Sequence, residues 1–460
     1  MNKKTRLIIL LICIGCFFIV APILVLYSMG DRFDFANMRI TATGGIYVRT
    51  SPAARQVLID SKISGKPNIF SSSVFIQSLL PGPHTVLAEK DGYYDYFKTI
   101  PVQKNQVTKL ENVLLFKKLI TFGELADKVD YFSVTPNNQN FITATVGAKN
   151  ITINYFSFGA IEQNKTLPIP QTGKISDIKW SEDSNRAVII VENKNIISYY
   201  LFDNTLSEPV ATPLSYLDKN AQQVSFNPQN SQELFFIKNN TLYSAKSGKV
   251  LPVLNDTLAY NISGGNILWL STDELLYNSD LSGKLIEQIT DEKTTVNSIK
   301  DYSILSLSGK TFLRADDSFF LLNQSAKTLD KITPPISSYK ISVSPDNKNL
   351  IFYNESKIYL RSFLQTEKLP EYNEIFLGTS INDCQWLNSD YIIFTVGDKI
   401  IISEIDYRGN INAVTLPTTI TVSSDKKIDI KNPDIYFNRQ DGKLYIMTDN
   451  TFLVSEKITQ

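Results

Sequence analysis

Val343-Ser344-Pro345-Asp346-Asn347-Lys348-Asn349-Leu350-Ile351-Phe352-Tyr353 is the stretch whose reading decides the fold. Proline presets a turn backbone, and Asp and Asn bond their own main chain and tolerate left-handed conformations, so residues 344–348 read as a tight reversal. The apolar run from Leu350 to Tyr353 then reads as a strand, and Lys357 to Phe363 as the next strand of a meander. The same unit, an aromatic or aliphatic strand end, a polar turn and an apolar strand, recurs along the chain. Close copies are Lys179-Trp180-Ser181-Glu182-Asp183-Ser184 before Ala187 to Val191, and Val224-Ser225-Phe226-Asn227-Pro228 before Leu234 to Ile237. Looser ones centre on Phe132, Trp269, Ser306, Trp386 and Phe437. From Phe132 through Trp180, Phe226, Trp269, Ser306, Val343 and Trp386 to Phe437 the spacings are 48, 46, 43, 37, 37, 43 and 51 residues. One four-stranded propeller blade needs roughly 40 to 50.

The unit resembles the "W-S-P-D-G-K-x-L-x-F" repeat of TolB-like and WD40-like propellers, and Val343 to Phe352 is the nearest copy. Eight anchors imply eight blades. Seven stays open, because the copy at Ser306 is weak and a terminal strand pair could complete another blade. The Trp, Pro and Asp positions read as structural: the aromatic packs between blades and the turn residues bend the chain.

Ahead of the repeats, Gly45 to Phe116 shows short alternating strands: Gly45 to Arg49, Gln56 to Asp60, Val74 to Leu79, His84 to Lys90 and Asn105 to Leu115. Pro81-Gly82-Pro83 and Asp91-Gly92 bound the fourth, and Gly65-Lys66-Pro67 marks another loop. These residues resemble the PEGA domain of bacterial surface proteins. Val57-Leu58-Ile59-Asp60 is similar to its "V-x-I-D-G" strand and turn, Leu80-Pro81-Gly82-Pro83-His84-Thr85-Val86 to "L-x-P-G-x-Y-x-V", and Lys90-Asp91-Gly92-Tyr93 to "K-x-G-Y". Ser51-Pro52-Ala53-Ala54 stands where the name-giving tetrapeptide would be, Ser61 replaces the turn glycine, and His84 the usual tyrosine. The resemblance implies a small β-sandwich with a loose association to cell-wall or surface binding. Gly92-Tyr93-Tyr94 reads as an aromatic cap on the open end of that sandwich, with a sugar-stacking platform as the sharper alternative.

Leu7 to Leu26 carries no charge over twenty residues, enough at 1.5 Å per residue to cross a hydrocarbon core of about 30 Å. Lys3, Lys4 and Arg6 precede it, while Asp31, Arg32 and Asp34 follow, which puts the N-terminus in the cytoplasm and the remainder outside. The rival reading is a cleaved signal peptide, given the small residues of Ser28-Met29-Gly30, but the apolar run exceeds the usual 7 to 15. An acylated Cys16 fits less well, because ten apolar residues follow it.

Lys plus Arg and Asp plus Glu stand at 46 each, so no net basic surface points to nucleic acid. Cys13 and Cys16 lie in the apolar segment and Cys384 alone beyond it, which excludes an intrachain disulfide outside the membrane. With His84 the one histidine, the exterior has no Cys/His set for zinc and no second imidazole for acid/base work; His84 itself reads as structural. No phosphate loop or nucleophile elbow is present. The expected architecture is all-β: a cytoplasmic stub and transmembrane helix in 1–30, a PEGA-like β-sandwich in 40–117, and a seven- or eight-bladed β-propeller in 118–460. The expected role is a single-pass cell-membrane protein without cofactor, metal, catalytic residues or nucleic-acid partner, presenting its propeller to an envelope protein or glycan through binding residues the sequence does not single out. The alternative is a glycosidase or lyase using carboxylates of the propeller channel.

Overall fold

The computed structural model describes all residues except 1, 2, 29, 35–37, 66, 68–70, 159–162, 294–300, 364–371, 423–425 and 460. A 26-residue helix, Lys3–Ser28, opens the chain. Its segment Thr5–Val25 is long and apolar enough to cross a membrane by length and composition, and no part of the protein covers it. A short hairpin follows, Asp31–Asp34 against Arg39–Ala42, and the Arg32 guanidinium lies over the Tyr27 ring at 3.4 Å.

Two sheets then face each other. One joins Ser73–Leu79, Gly44–Ser51 and Val107–Leu114, the last two in parallel; the other joins Lys62–Gly65, Gln56–Ile59, Gly82–Glu89 and Tyr96–Val102. Ile46, Val48, Val57, Val86, Ile100 and Leu110 fill the space between them. Several strand limits differ from the sequence expectation. The fourth strand begins at Gly82, and Pro83 pairs with Pro101 inside the ladder. The Asp60-Ser61 turn forms without its glycine, because both residues accept a left-handed backbone. Tyr96–Val102, absent from the sequence reading, forms an edge of the second sheet.

Among the described residues the remaining strands build eight four-stranded sheets and one two-stranded hairpin, Thr419–Thr421 with Lys427–Asp429. Seven are local meanders, blades 1 to 7, spanning 131–169, 174–213, 222–254, 257–288, 302–331, 340–377 and 381–415. Blade 8 joins Asp434–Asn438, Lys443–Thr448 and Thr451–Lys457 to Phe122–Ala126, so the first propeller strand and the last lie side by side and close the ring. Eight apolar seams confirm the closure. Ile142 with Ile189, Tyr199 with Phe236, Phe235 with Ile267, Ala259 with Leu313, Phe312 with Phe352, Ile351 with Phe394, Ile393 with Ile446, and Tyr445 with Phe141 each mark a core shared by two neighbouring blades.

Residues 343–353 show how the pattern works. Alternate side chains of a strand point to opposite faces. Phe352 therefore packs toward blade 5 while Ile351 and Tyr353 pack toward blade 7. A strand buried on both faces has no polar positions to alternate, which is why the run is continuously apolar. The turn before it is a closed hydrogen-bond box. Ser344 Oγ donates to Asp346 Oδ1 at 2.7 Å, and the amides of Lys348 and Asn349 return to Ser344 Oγ. Ser181 with Asp183 and Thr135 with Asn137 repeat it.

One repeat anchor sits out of register. Trp269 belongs to the second strand of blade 4, Asn266–Ser271, not the first. Gly264 and Gly265, both at positive φ, make the first turn of that blade without a polar box. The box, Ser271 with Asp273, lies one turn later.

Candidate functional site

First strands of five neighbouring pairs of blades touch one another, which sets them at the centre of the ring. Where several of these strands begin, the charges of Asp177 and Asp434 act on Tyr131, that of Lys340 on Asp383, and those of Asp383 and Lys340 on Asp434. Burial pushes the Asp383 carboxyl above the usual range, against the opposing hydrogen bond from Gln385 Nε2 at 2.6 Å and that from the Cys384 amide. Asp434 is raised too, first by the protein around it and then by the Asp383 charge, although its surface is open to solvent. Asp383 is committed to its neighbours, since Gln385 also donates to the Ile435 carbonyl and so ties blade 7 to blade 8. Asp434 is the freer of the two.

A carboxyl raised in the fold is more easily ionised in the unfolded chain, so its contribution to stability is full below the ordinary carboxylate pKa of about 4 and is lost as pH rises through the folded value. Asp434→Asn removes that loss. We expect the variant to melt above the parent at pH 7 and with it near pH 3; a gap independent of pH in thermal unfolding would contradict the assignment.

The second concentration of polar side chains lies where the sandwich meets the ring. Lys98, fully buried, places Nζ 2.5 Å from Glu404 Oε1 of blade 7 and donates to the carbonyls of Asp406 and Asn410 at 2.7 and 2.9 Å. Tyr96 OH donates to Glu404 Oε2, and the Asn412 amide to Oε1. Burial pushes the Glu404 carboxyl up; Lys98 and these donors hold it down in part. Around this pair, Asn410 bonds the main chain of Thr99 and Phe97, Arg408 bonds the Lys109 carbonyl, Asn112 reaches Asp390, and Tyr391 OH accepts from the Leu114 amide. The loop 406–412 thus covers the otherwise open edge of Tyr96–Val102. A cavity of about 370 Å³ remains beside it, lined by Tyr96, Glu111, Asn112, Asp390, Asp406 and Arg408.

The remaining residues singled out in the sequence are structural. His84 Nδ1 lies 2.6 Å from Asp60 and Nε2 2.7 Å from the Leu80 carbonyl, so the ring clamps a turn to a strand. Tyr93 packs on the sandwich core, while Tyr94 packs into the seam of blades 7 and 8. The aromatic cluster therefore sits at the junction and not on an open end. Trp180 packs in the seam of blades 1 and 2, its Nε1 donating to Ser133. Cys384 is buried, which pushes its thiol up. Among the described residues no group of His, Cys, Asp and Glu is placed to hold a metal ion.

The chain is thus a β-propeller protein that carries a small two-sheet module between its ring and an apolar N-terminal helix. That module is similar to a known family: residues 43–115 match the PEGA domain. Among curated proteins none matches the chain. Solved structures similar to it include BamB from Moraxella catarrhalis, at 10% identity and a TM-score of 0.45 over 74% of this chain and 97% of that one. The WD40 domain of SCAP from fission yeast is similar at 10% identity and 0.45 over 74% and 98%. Hsv2p of Kluyveromyces lactis is similar at 11% identity and 0.42 over 66% and 99%.

Proposed function

We propose that this chain is a membrane-anchored scaffold on the outer side of the cell membrane, whose PEGA-like module holds the propeller at a set attitude to the bilayer and presents it to an envelope protein or glycan. The buried Lys98–Glu404 pair carries this reading. A flexible tether would need no desolvated charges at the junction, whereas a support that must keep its angle gains from bonds that work in one arrangement only. The helix Lys3–Ser28 supplies the attachment, and Lys3, Lys4 and Arg6 ahead of its apolar run support an N-terminus in the cytoplasm. The full-length chain, tagged and extracted from membranes in mild detergent, is expected to retain one envelope component above an unrelated anchored control. Equal retention by the two would overturn the proposal.

A carbohydrate-active role rests on the raised Asp434 and Asp383 carboxyls, the property a general acid needs. Asp434→Asn and Asp383→Asn, each without loss in a glycan-turnover assay, would dispose of it.

A further inference from the structure

A short chain of hydrogen bonds ties one end of the sandwich to the end of the helix. The Gly30 amide bonds the Tyr27 carbonyl, the Thr43 amide and hydroxyl bond the Gly30 carbonyl, and the Asn105 amide bonds the Thr43 carbonyl. The Gly45 amide bonds the Gln106 carbonyl, and Arg32 donates to the Tyr27 carbonyl and to Ser78. Gly45 and the start of strand Val107–Leu114 thus lie within about three strand spacings, roughly 15 Å, of the last helical turn.

The outer face of the first sheet changes character with distance from that point. Ile46 and Val48 point into the core, so positions 45, 47 and 49 of the same strand point out. Nearest the helix, Val107 stands beside Gly45, and the Phe75 ring lies so close that a Cβ on Gly45 would be 3.1 Å from it. Tyr47 follows, between Phe75 and Lys109. Arg49, farther toward the ring, bonds the Glu111 carbonyl, and Lys109 pairs with Glu111 at 3.3 Å. The helix end of this face is therefore apolar and its far end charged. Phe75 is 49% exposed and Val107 43%. The strand that leads into the sheet adds Ile40 at 55%, and Met38 just ahead of it is 74% exposed.

Exposed apolar side chains scattered singly need no account, but a group at one place marks an interaction surface. These four stand at the end of the sandwich that abuts a helix apolar enough to cross a bilayer. The headgroup layer extends about 5 to 7 Å beyond the hydrocarbon on each side, so a bilayer crossed by that helix occupies this place. From this conjunction we infer that Met38, Ile40, Phe75 and Val107 rest in the headgroup layer of the leaflet at which the helix ends. They form a second contact with the lipid, and two contacts fix an attitude that a single helix leaves free to tilt. Tyr27, exposed at the helix end beneath the Arg32 guanidinium, is an amphipathic ring of the kind that sits at this depth.

The inference rests on the membrane-anchored reading and adds the lipid surface as a partner of the module. Its test reconstitutes the full-length chain, with Cys13 and Cys16 changed to Ala, into vesicles of phosphatidylethanolamine and phosphatidylglycerol. Single cysteines at Met38→Cys and Val107→Cys carry an environment-sensitive fluorophore; Phe18→Cys in the helix and Ser207→Cys in blade 2 are the controls, and Cys384 is buried. Emission from Met38→Cys and Val107→Cys is expected to shift to the blue relative to Ser207→Cys, and to be quenched by lipids that bear a nitroxide near the headgroup. Quenching at Phe18→Cys with none at Met38→Cys and Val107→Cys would sink the second contact and leave the anchor standing. A blue shift there without quenching would mean that protein covers the face, and would equally overturn the inference. No quenching at Phe18→Cys would fail the anchor itself, and the inference with it.

Discussion

Lys98→Met is expected to destabilise the junction by about 3 to 5 kcal/mol, the cost of removing one partner from a buried ion pair and leaving the other charge uncompensated. Glu404 is nearly inaccessible, and its remaining donors, Tyr96 OH and the Asn412 amide, are neutral. The carbonyls of Asp406 and Asn410 lose their donor as well. In the variant Glu404 can escape its charge only by taking up a proton. Its raised carboxyl rises further, so the defect is greatest at pH 7 and above and shrinks as pH falls. Hydrogen exchange in Tyr96–Val102 reads this directly: local opening should increase by roughly two to four powers of ten. Adding Glu404→Gln, which removes the charge and keeps an acceptor, should restore most of the loss. Exchange unchanged in Lys98→Met, or a double variant as open as the single, would refute the junction's role.

Gly409→Ala is the second large effect. Gly409 has φ of +70° and lies against strand Tyr96–Val102 so closely that a Cβ would overlap the Thr99 carbonyl. Left-handed backbone alone costs an alanine about 1 kcal/mol, and the overlap cannot be relieved without lifting the loop 406–412 from the strand. That movement would break the Asn410 bonds to Thr99 and Phe97 together with those from Lys98. The expected loss is about 3 kcal/mol or more, with new protease cleavage near residues 115–121 and no change in the exchange of blades 2 to 5. Protection in the far blades falling as much as at the junction would mean that the two bodies are not separately cooperative.

The ring was legible because blade strands are buried on both faces and their turns repeat one Ser/Thr-x-Asp/Asn box. Leu350 to Tyr353 and Ala187 to Val191 therefore stand out as apolar runs after polar turns. Blade 4 reads out of register by one strand because Gly264-Gly265 turns the chain by backbone freedom alone, which leaves Trp269 beside the first polar box of that blade. Tyr96–Val102 was missed for a different reason. Tyr96, Lys98, Ile100 and Val102 share its buried face, and a lysine among them breaks the alternation that marks a strand. Its explanation, Glu404, lies 306 positions away. The junction is likewise built from residues whose partners the chain's order does not announce. Nor can sequence separate Asp346, locked in a turn box, from Asp434, open in the channel.

Accessibility of a single cysteine measures the central claim, that the helix holds the propeller outside the membrane. Ser207, exposed in blade 2, is replaced by Cys in a chain with Cys13 and Cys16 changed to Ala; Cys384 is buried and silent. Protoplasts are treated with a membrane-impermeant maleimide before and after lysis. The account predicts full labelling of Ser207→Cys in unbroken protoplasts, on protein that stays with the membrane pellet after a high-salt wash. Labelling only after lysis, or labelled protein free in the medium, would contradict it.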